Sequence, residues 1–374
     1  TDKADPLRTA SYSFGKCIFV APVRIALTDA DGGEGLRSGI ARAGDGTEIV
    51  LAAGDYPVTA GEELAVEKGV TIRSASWNSA DVTVYRQGTT KTTAHSVFYV
   101  NHKDALIAGL TITNGYFAAM YKYGGGAIID GAGGTISNCV FKKNFVLSHR
   151  AAGSATYQYG GLVTHCLITD NRFCNSQYYN VKCGISYVHG GGTMRNCVVA
   201  KNYAWNNYKD GVSYYCSLAG VGIHDGTLES CTIVDNVSTG GVGGVWLRNA
   251  NAVCRNCIIA GNQSVNGFTD FRAQWNGVGE NTGNLTAPTV QMTYCLSDGD
   301  MTYGTESKTE TTLAFKNAAV NNYKPVSGDW KDWGMVRDWM NNATDYAGGK
   351  RLVKHIPDIG AYEAQTFGIT IFVR

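Results

Sequence analysis

The sequence predicts an all-β solenoid of the parallel β-helix type, and three observations carry that prediction. First, a cysteine followed by apolar residues and then by an asparagine five positions on recurs five times. The pairs are Cys139 and Asn144, Cys166 and Asn171, Cys197 and Asn202, Cys231 and Asn236, and Cys257 and Asn262. The intervals between these phrases vary, as they do when the coils of a solenoid differ only in loop length. Second, the phrase has a lead-in of its own: Gly134-Thr-Ile-Ser-Asn-Cys139, Gly192-Thr-Met-Arg-Asn-Cys197 and Gly226-Thr-Leu-Glu-Ser-Cys231. Third, apolar residues alternate through this stretch (Ile136, then Cys139 after a kink, then Phe141), which is the period of a strand and not of a helix.

The elements follow in chain order. Residues 34–43 carry Leu36 and Ile40 four apart, an amphipathic helix that Gly44 ends. Such a helix covers the first coil and keeps its open edge from pairing with another chain. Glu48-Ile-Val-Leu51 and Gly69-Val-Thr-Ile72 are the first strand phrases, and Leu110-Thr-Ile-Thr-Asn114 continues them with leucine at the cysteine position. A second short strand precedes each glycine: Ala127-Ile-Ile-Asp130, Ser186-Tyr-Val-His189, Gly222-Ile-His-Asp225 and Trp246-Leu-Arg-Asn249. Two or three short strands per coil are therefore expected. Residues 303–357 lose the phrase and hold Trp330, Trp333 and Trp339, which are expected to pack on or cap the last coils. Residues 367–374 alternate apolar and polar side chains, as a strand with one buried face does. One domain over residues 1–374 is expected, with 15–51 as cap and first coil, 52–302 as regular coils, and 303–374 as final coils and cap.

Stacked coils place like residues over like at ~4.8 Å. A buried thiol in such a column is a small hydrophobe, and stacked asparagines bond one another as an amide ladder while tolerating turn geometry. This reading also covers Cys295 and Cys254. A disulfide within the column is awkward, because ~4.8 Å exceeds the usual ~3.8 Å between bridged Cβ atoms. Cys17, Cys174, Cys183 and Cys216 remain, and a loop staple between two of the last three would fit an exported protein.

Composition narrows the function classes. Lysine plus arginine (32) balances aspartate plus glutamate (31), so no basic field invites nucleic acid or an anionic membrane. The 47 glycines against 6 prolines suit many tight turns. No apolar run reaches the ~20 residues of a transmembrane helix, and the residues given do not open on a signal peptide.

Gly46-Thr-Glu-Ile-Val-Leu-Ala-Ala-Gly-Asp-Tyr56 followed by Lys68-Gly-Val-Thr-Ile72 resembles the opening of parallel β-helix proteins of the pectate-lyase-like superfamily. The Gly-Gly and Asn-Cys phrases are similar to repeats of polymorphic outer-membrane proteins. Asp345-Tyr-Ala-Gly-Gly-Lys-Arg351 with Asp358-Ile-Gly-Ala-Tyr-Glu363 resembles the C-terminal coils of exported bacterial proteins called choice-of-anchor Q. The resemblance spans residues 15–363. It implies a single-stranded right-handed β-helix and a secreted or cell-surface location. For activity it implies little, since the superfamily holds lyases, hydrolases, epimerases and adhesins.

Two surfaces are candidates for function. Aligning the strands that precede the glycines puts Ala127, Ser186, Gly222 and Trp246 in one outward column, and Ile129, Val188, His224 and Arg248 in the next. Asp130, His189, Asp225 and Asn249 then stand at the strand ends. His224, Asp225 and Arg248 would be the catalytic group, with Trp246 as a sugar platform: an arginine neutralises a uronate while histidine abstracts a proton. The alternative is a solvated polar face. The second surface is made by insertions at 145–159, 172–183 and 203–219, expected to leave one corner and form a wall. It holds Tyr157, Tyr159, Tyr178, Tyr179, Tyr203, Tyr208, Tyr214, Tyr215 and Trp205, suited to glycan or protein contact or to packing on one another. No paired carboxylates, nucleophile elbow, phosphate loop or zinc spacing is evident, so no metal or cofactor is expected.

The sequence thus predicts an adhesin or structural subunit that binds polysaccharide or a surface protein and self-associates. The alternative is a polysaccharide lyase or glycoside hydrolase working in a groove along the coils.

Overall fold

The computed structural model describes residues 12–14, 17–19, 23–59, 62–88, 94–118, 123–147, 152–175, 184–206, 217–239, 241–248, 250–265, 269–275, 283–284, 291–299 and 304–365. Within them the chain is a parallel β-helix. Two sheets have ten strands each, a third has six and a fourth has nine. One coil visits them in turn: Thr135–Ser137, Val140–Lys142, Phe145–Leu147 and then Thr156–Tyr159, before Leu162–Thr164 returns to the first sheet. The coil therefore has four strands where two or three were expected. The extra one comes from the start of each supposed loop insertion, at Phe145–Leu147, Arg172–Asn175 and Tyr203–Asn206.

The cysteine and asparagine columns behave as stacking predicts. Cys139, Cys166, Cys197, Cys231, Cys257 and Cys295 are buried free thiols. Each donates to the carbonyl two residues before it, as Cys197 does to Arg195 at 3.1 Å and Cys166 to Thr164 at 3.2 Å. Cys254 pairs with Leu228 and is also core. Of the proposed loop staple, Cys174 is buried on the strand Arg172–Asn175, while Cys183 and Cys216 lie outside the described residues.

The asparagine ladder is a continuous chain of bonds. Asn144 donates its backbone N–H and its Nδ2 to Asn171 Oδ1, both at 3.0 Å, and Asn171 does the same to Asn202. Asn202 repeats it on Asn236, and Asn236 on Asn262. Each Nδ2 also donates to a carbonyl one coil back: Ile112, Phe141, Ile168, Val199 and Ile233 in turn. Turn strain was expected at the asparagines but falls on the residue before them. Lys143, Asp170, Lys201 and Asp235 carry φ of 56, 55, 57 and 54°. A second left-handed residue precedes each cysteine: Asn138, His165, Asn196, Ser230 and Asn256. Two such corners per coil turn the next side chain inward.

The ladder ends on Asp270, which accepts from Asn262 N–H at 3.2 Å and Nδ2 at 2.9 Å, and from the Ser297 hydroxyl at 2.9 Å. Burial, and then the neighbouring Asp298, push its carboxyl up to about 8.

At the other end the helix Gly32–Arg42 starts two residues before the expected position, with Thr28 N–H donating to Asp31 Oδ2 at 2.7 Å just ahead of it. Leu36 and Ile40 are buried in the same core as Ile25 and Ile49. The C-terminal segment is less a cap than a strap along the flank. Tyr323, Trp330, Ile359, Ala361 and Tyr362 pack on Val198, Ala200, Val234, Ile258 and Leu296, the outward side chains of the second sheet. Polar contacts pin it to successive corners: Asn196 Nδ2 to Thr344 O at 3.0 Å, Asn256 Nδ2 to Met335 O at 2.7 Å, and Tyr323 OH to Asp235 at 3.1 Å. Residues 367–374, expected as a closing strand, lie outside the described residues. Among the described residues no helix is long and apolar enough to cross a membrane.

Two outcomes follow. Asn202→Ala strands buried acceptors on Ile168, Ala200 and Asn236 and buried donors on Asn171. It is expected to lower stability by about 3 kcal/mol in urea unfolding, since several buried groups lose partners together. For Asp270, the folded carboxyl holds its proton to higher pH than the unfolded one. Stability therefore falls as pH rises from about 4 toward about 8. Asp270→Asn keeps an acceptor oxygen and cannot ionise, so melting curves of that variant are expected to lose most of this decline.

Candidate functional site

The fourth sheet builds the most chemically varied surface. Its strands include Phe98–Val100, Ala127–Ile129, Thr156–Tyr159, Ser186–His189, Val221–Ile223 and Val245–Leu247. Strand alternation sends Phe98, Ala127, Thr156, Ser186, Val221 and Val245 inward in one register column, all buried. The next column faces outward: Tyr99, Ile128, Tyr157, Tyr187, Gly222 and Trp246. Two residues further along the strands lies a second outward row.

That row is Asn101, Asp130, Tyr159, His189, His224 and Arg248. Tyr159 pairs with His189 in the strand ladder. The others are placed by backbone bonds that prolong the ladder: Asn101 N–H to Val66, Asp130 to Val100, His224 to Val188 and Arg248 to Ile223, all within 2.9 Å. His224 and Arg248 are thus stacked neighbours, as expected. Ser186, however, pairs with Val221 and not with Gly222, so Ala127 and Ser186 point inward. The misalignment has a simple cause. The turn from the strand end to the next sheet shortens, from Asp130–Thr135 to His189–Thr193 to His224–Thr227, so the glycine marks no fixed strand position, and the expected alignment began the third strand at Gly222 where it begins at Val221. His189 consequently belongs beside His224, and Asp225 is the turn residue beyond it.

This turn brings Asp225 back over the row. Its Oδ1 lies 2.6 Å from His189 Nδ1 and 3.8 Å from His224 Nδ1, and it accepts the Gly190 N–H at 2.6 Å. The His189 and His224 rings meet edge to face at 4.8 Å, and Tyr159 meets His189 in the same way at 4.8 Å. Tyr159 is 45% exposed, and the side chains of His189, His224 and Asp225 are partly exposed. Toward the other end, Tyr99 OH donates to Asp130 at 2.7 Å, and burial, then that carboxylate, push the phenol up to about 12. The result is a partly solvated strip of hydrogen-bonding groups with one open aromatic face.

The remaining candidates divide between places. Trp246 is fully buried and Arg248 nearly so, the guanidinium lying 4.3 Å above the indole ring. A ligand on this face meets His224 and Asp225 before either of them. Tyr157 is also buried, stacked between Tyr123 at 4.5 Å and Tyr187 at 5.8 Å. Tyr203 and Trp205 sit on the third sheet, not the fourth, with Trp205 stacked on Phe145 at 5.5 Å and Tyr203 exposed. The described rings therefore form two patches on adjacent sheets, where one wall was expected. Tyr178, Tyr179, Tyr208, Tyr214 and Tyr215 lie outside the described residues.

Among the described residues, two groups each hold three ligating atoms within 4.8 Å: Cys254, Cys257 and Cys295 in the core, and His189, His224 and Asp225 on the strip. The second was not foreseen, because the slipped register set His189 in the same column as Asp225 and away from His224. A count made forward from Ser186 and Val221 would have found it.

Trp246→Ala is expected to cost about 3–5 kcal/mol in denaturant unfolding, the usual effect of deleting a buried indole. A loss under about 1 kcal/mol would mean that the ring is accessible. Compared with known proteins, the chain matches no family model and no curated protein.

Proposed function

We propose that the protein is an exported, right-handed β-helix of the pectate-lyase-like type, and that it binds an extended glycan along the strip on the fourth sheet. The resemblance of the Gly46–Tyr56 and Asp358–Glu363 phrases supports the superfamily and the surface location. One observation supports the glycan reading most: consecutive coils set Asn101, Asp130, Tyr159, His189 and His224 in a single partly solvated row. Rows at ~4.8 Å spacing offer a linear polymer the same kind of contact again and again, and Tyr159 supplies the apolar face on which a pyranose stacks. The near balance of charge favours a neutral or weakly acidic polysaccharide over a polyanion. The Tyr203 and Trp205 patch on the neighbouring sheet extends the surface toward a surface-protein partner or a second copy of the chain.

A catalytic reading is favoured by a separate observation. Asp225 orients His189 through a 2.6 Å bond, the arrangement of a general base with its positioning carboxylate. In this alternative, a lyase or hydrolase uses His189, His224 and Asp225, with buried Arg248 acting only through its neighbours.

Affinity electrophoresis through gels containing neutral and uronic polysaccharides tests the binding reading. Retardation by at least one polymer is expected, with about tenfold weaker binding in Tyr159→Ala, the value of one stacking contact. Equal retardation of the variant, or none of the wild type, would remove the proposal. Release of unsaturated or reducing ends, abolished in both His189→Ala and His224→Ala, would replace it with the catalytic one.

A further inference from the structure

We infer that His189, His224 and Asp225 bind a first-row divalent transition cation, with zinc the best fit. The three side chains offer two imidazole nitrogens and one carboxylate oxygen, the donor set that borderline cations prefer and that calcium and magnesium do not. Tetrahedral ligation at bond lengths of about 2.0–2.2 Å puts donor atoms about 3.3 Å apart. The observed separations from Asp225 Oδ1 straddle that distance, at 2.6 Å to His189 Nδ1 and 3.8 Å to His224 Nδ1. Rotating the two rings by small amounts converts the present hydrogen bond into a ligand set. Binding at His189 Nδ1 replaces its hydrogen bond to Asp225, and the single proton of the neutral imidazole then sits on Nε2.

The scaffold fixes these donors before any ion arrives. His189 ends one strand and His224 prolongs the next, its N–H bonded to Val188 O at 2.9 Å. Asp225 is held by the Gly190 N–H, and its own carbonyl accepts from Gly191 at 3.1 Å. The Tyr159 ring packs edge-on against His189 and limits how far that ring can swing. The three side chains are partly exposed, which gives an ion a route in from solvent, while His224 Nδ1 itself is buried. An ion there would hold water or a polar ligand beside the row.

The competing thiol group, Cys254, Cys257 and Cys295, is a weaker candidate. It is wholly buried, and Cys295 Sγ already donates to Thr293 O at 3.4 Å and Cys254 O at 3.7 Å. Such thiols are core side chains, as the column stacking requires.

The test is titration calorimetry on the full chain stripped with EDTA, using Zn2+ and, separately, Ca2+. One Zn2+ per chain and no Ca2+ heat are expected. His189→Ala and His224→Ala should each weaken Zn2+ binding by more than about tenfold. Asp225→Asn, which keeps an acceptor for Gly190 and so spares the turn, should weaken it as well. Cobalt in place of zinc should give visible bands of a nitrogen and oxygen site, without the near-ultraviolet bands of thiolate ligation. Failure to bind Zn2+, unchanged affinity in the two histidine variants, or thiolate bands would each overturn the inference. Zinc titration needs no glycan, so its outcome is independent of the polysaccharide experiment.

Discussion

Each ladder asparagine answers three demands of the backbone at one corner, and the rest of the coil depends on its doing so. Its amide oxygen accepts from the main chain and side chain of the asparagine one coil back, and its nitrogen reaches forward and across to a buried carbonyl. The corner is sharp because Lys143, Asp170, Lys201 and Asp235 turn left-handed just before it. A sharp corner inside a protein leaves peptide groups that no strand can pair, and burying them unpaired is costly. Aspartate, serine or alanine would each leave part of that set unanswered. Asp270 closes the series from the bend just before the strand Phe271–Trp275, and the amide chain thus ends on a buried carboxyl that holds a proton near neutrality.

Because the corners lock one coil over the next, side chains far apart in sequence become neighbours in space. The strip on the fourth sheet is made this way. His189 and His224 come from different coils, yet their rings touch, and the turn residue Asp225 bonds His189 beside them. No loop has to be positioned to build the group, since strand register does it.

The flank of the stack has its own anchor. Arg351, Asp358 and Glu363 are buried together where the C-terminal segment folds back. Arg351 donates to Asp358 O at 2.8 Å, Asp358 N–H to Glu363 at 2.9 Å, and Glu363 N–H to Asp345 at 2.8 Å. Burial pushes Glu363 up to about 8. This polar knot presents Gly360 and Ala361 to the second sheet, where they bond Asn256 O and Thr232 Oγ1. The phrase that resembles the C-terminal coils of exported β-helix proteins is, in this chain, the clasp of the strap.

The parallel stack, the thiol column and the asparagine column were legible in the sequence because each repeats once per coil, and repetition survives variable loops. The pairing of His224 with Arg248 was legible for the same reason. Burial of Trp246 and Arg248 was not, since an outward strand position says nothing of what lies over it. Nor was the join of His189 to His224, because turns of different length leave no fixed distance from the glycine to the strand before it, so nothing in the sequence marks Val221 as that strand's start. The alternation of apolar residues and the recurrence of Cys and Asn determined the architecture by themselves, being local and periodic. Which outward groups meet, and which are covered, was decided only by tertiary structure, because it depends on the turn lengths between sheets and on a strap brought back from the far end of the chain.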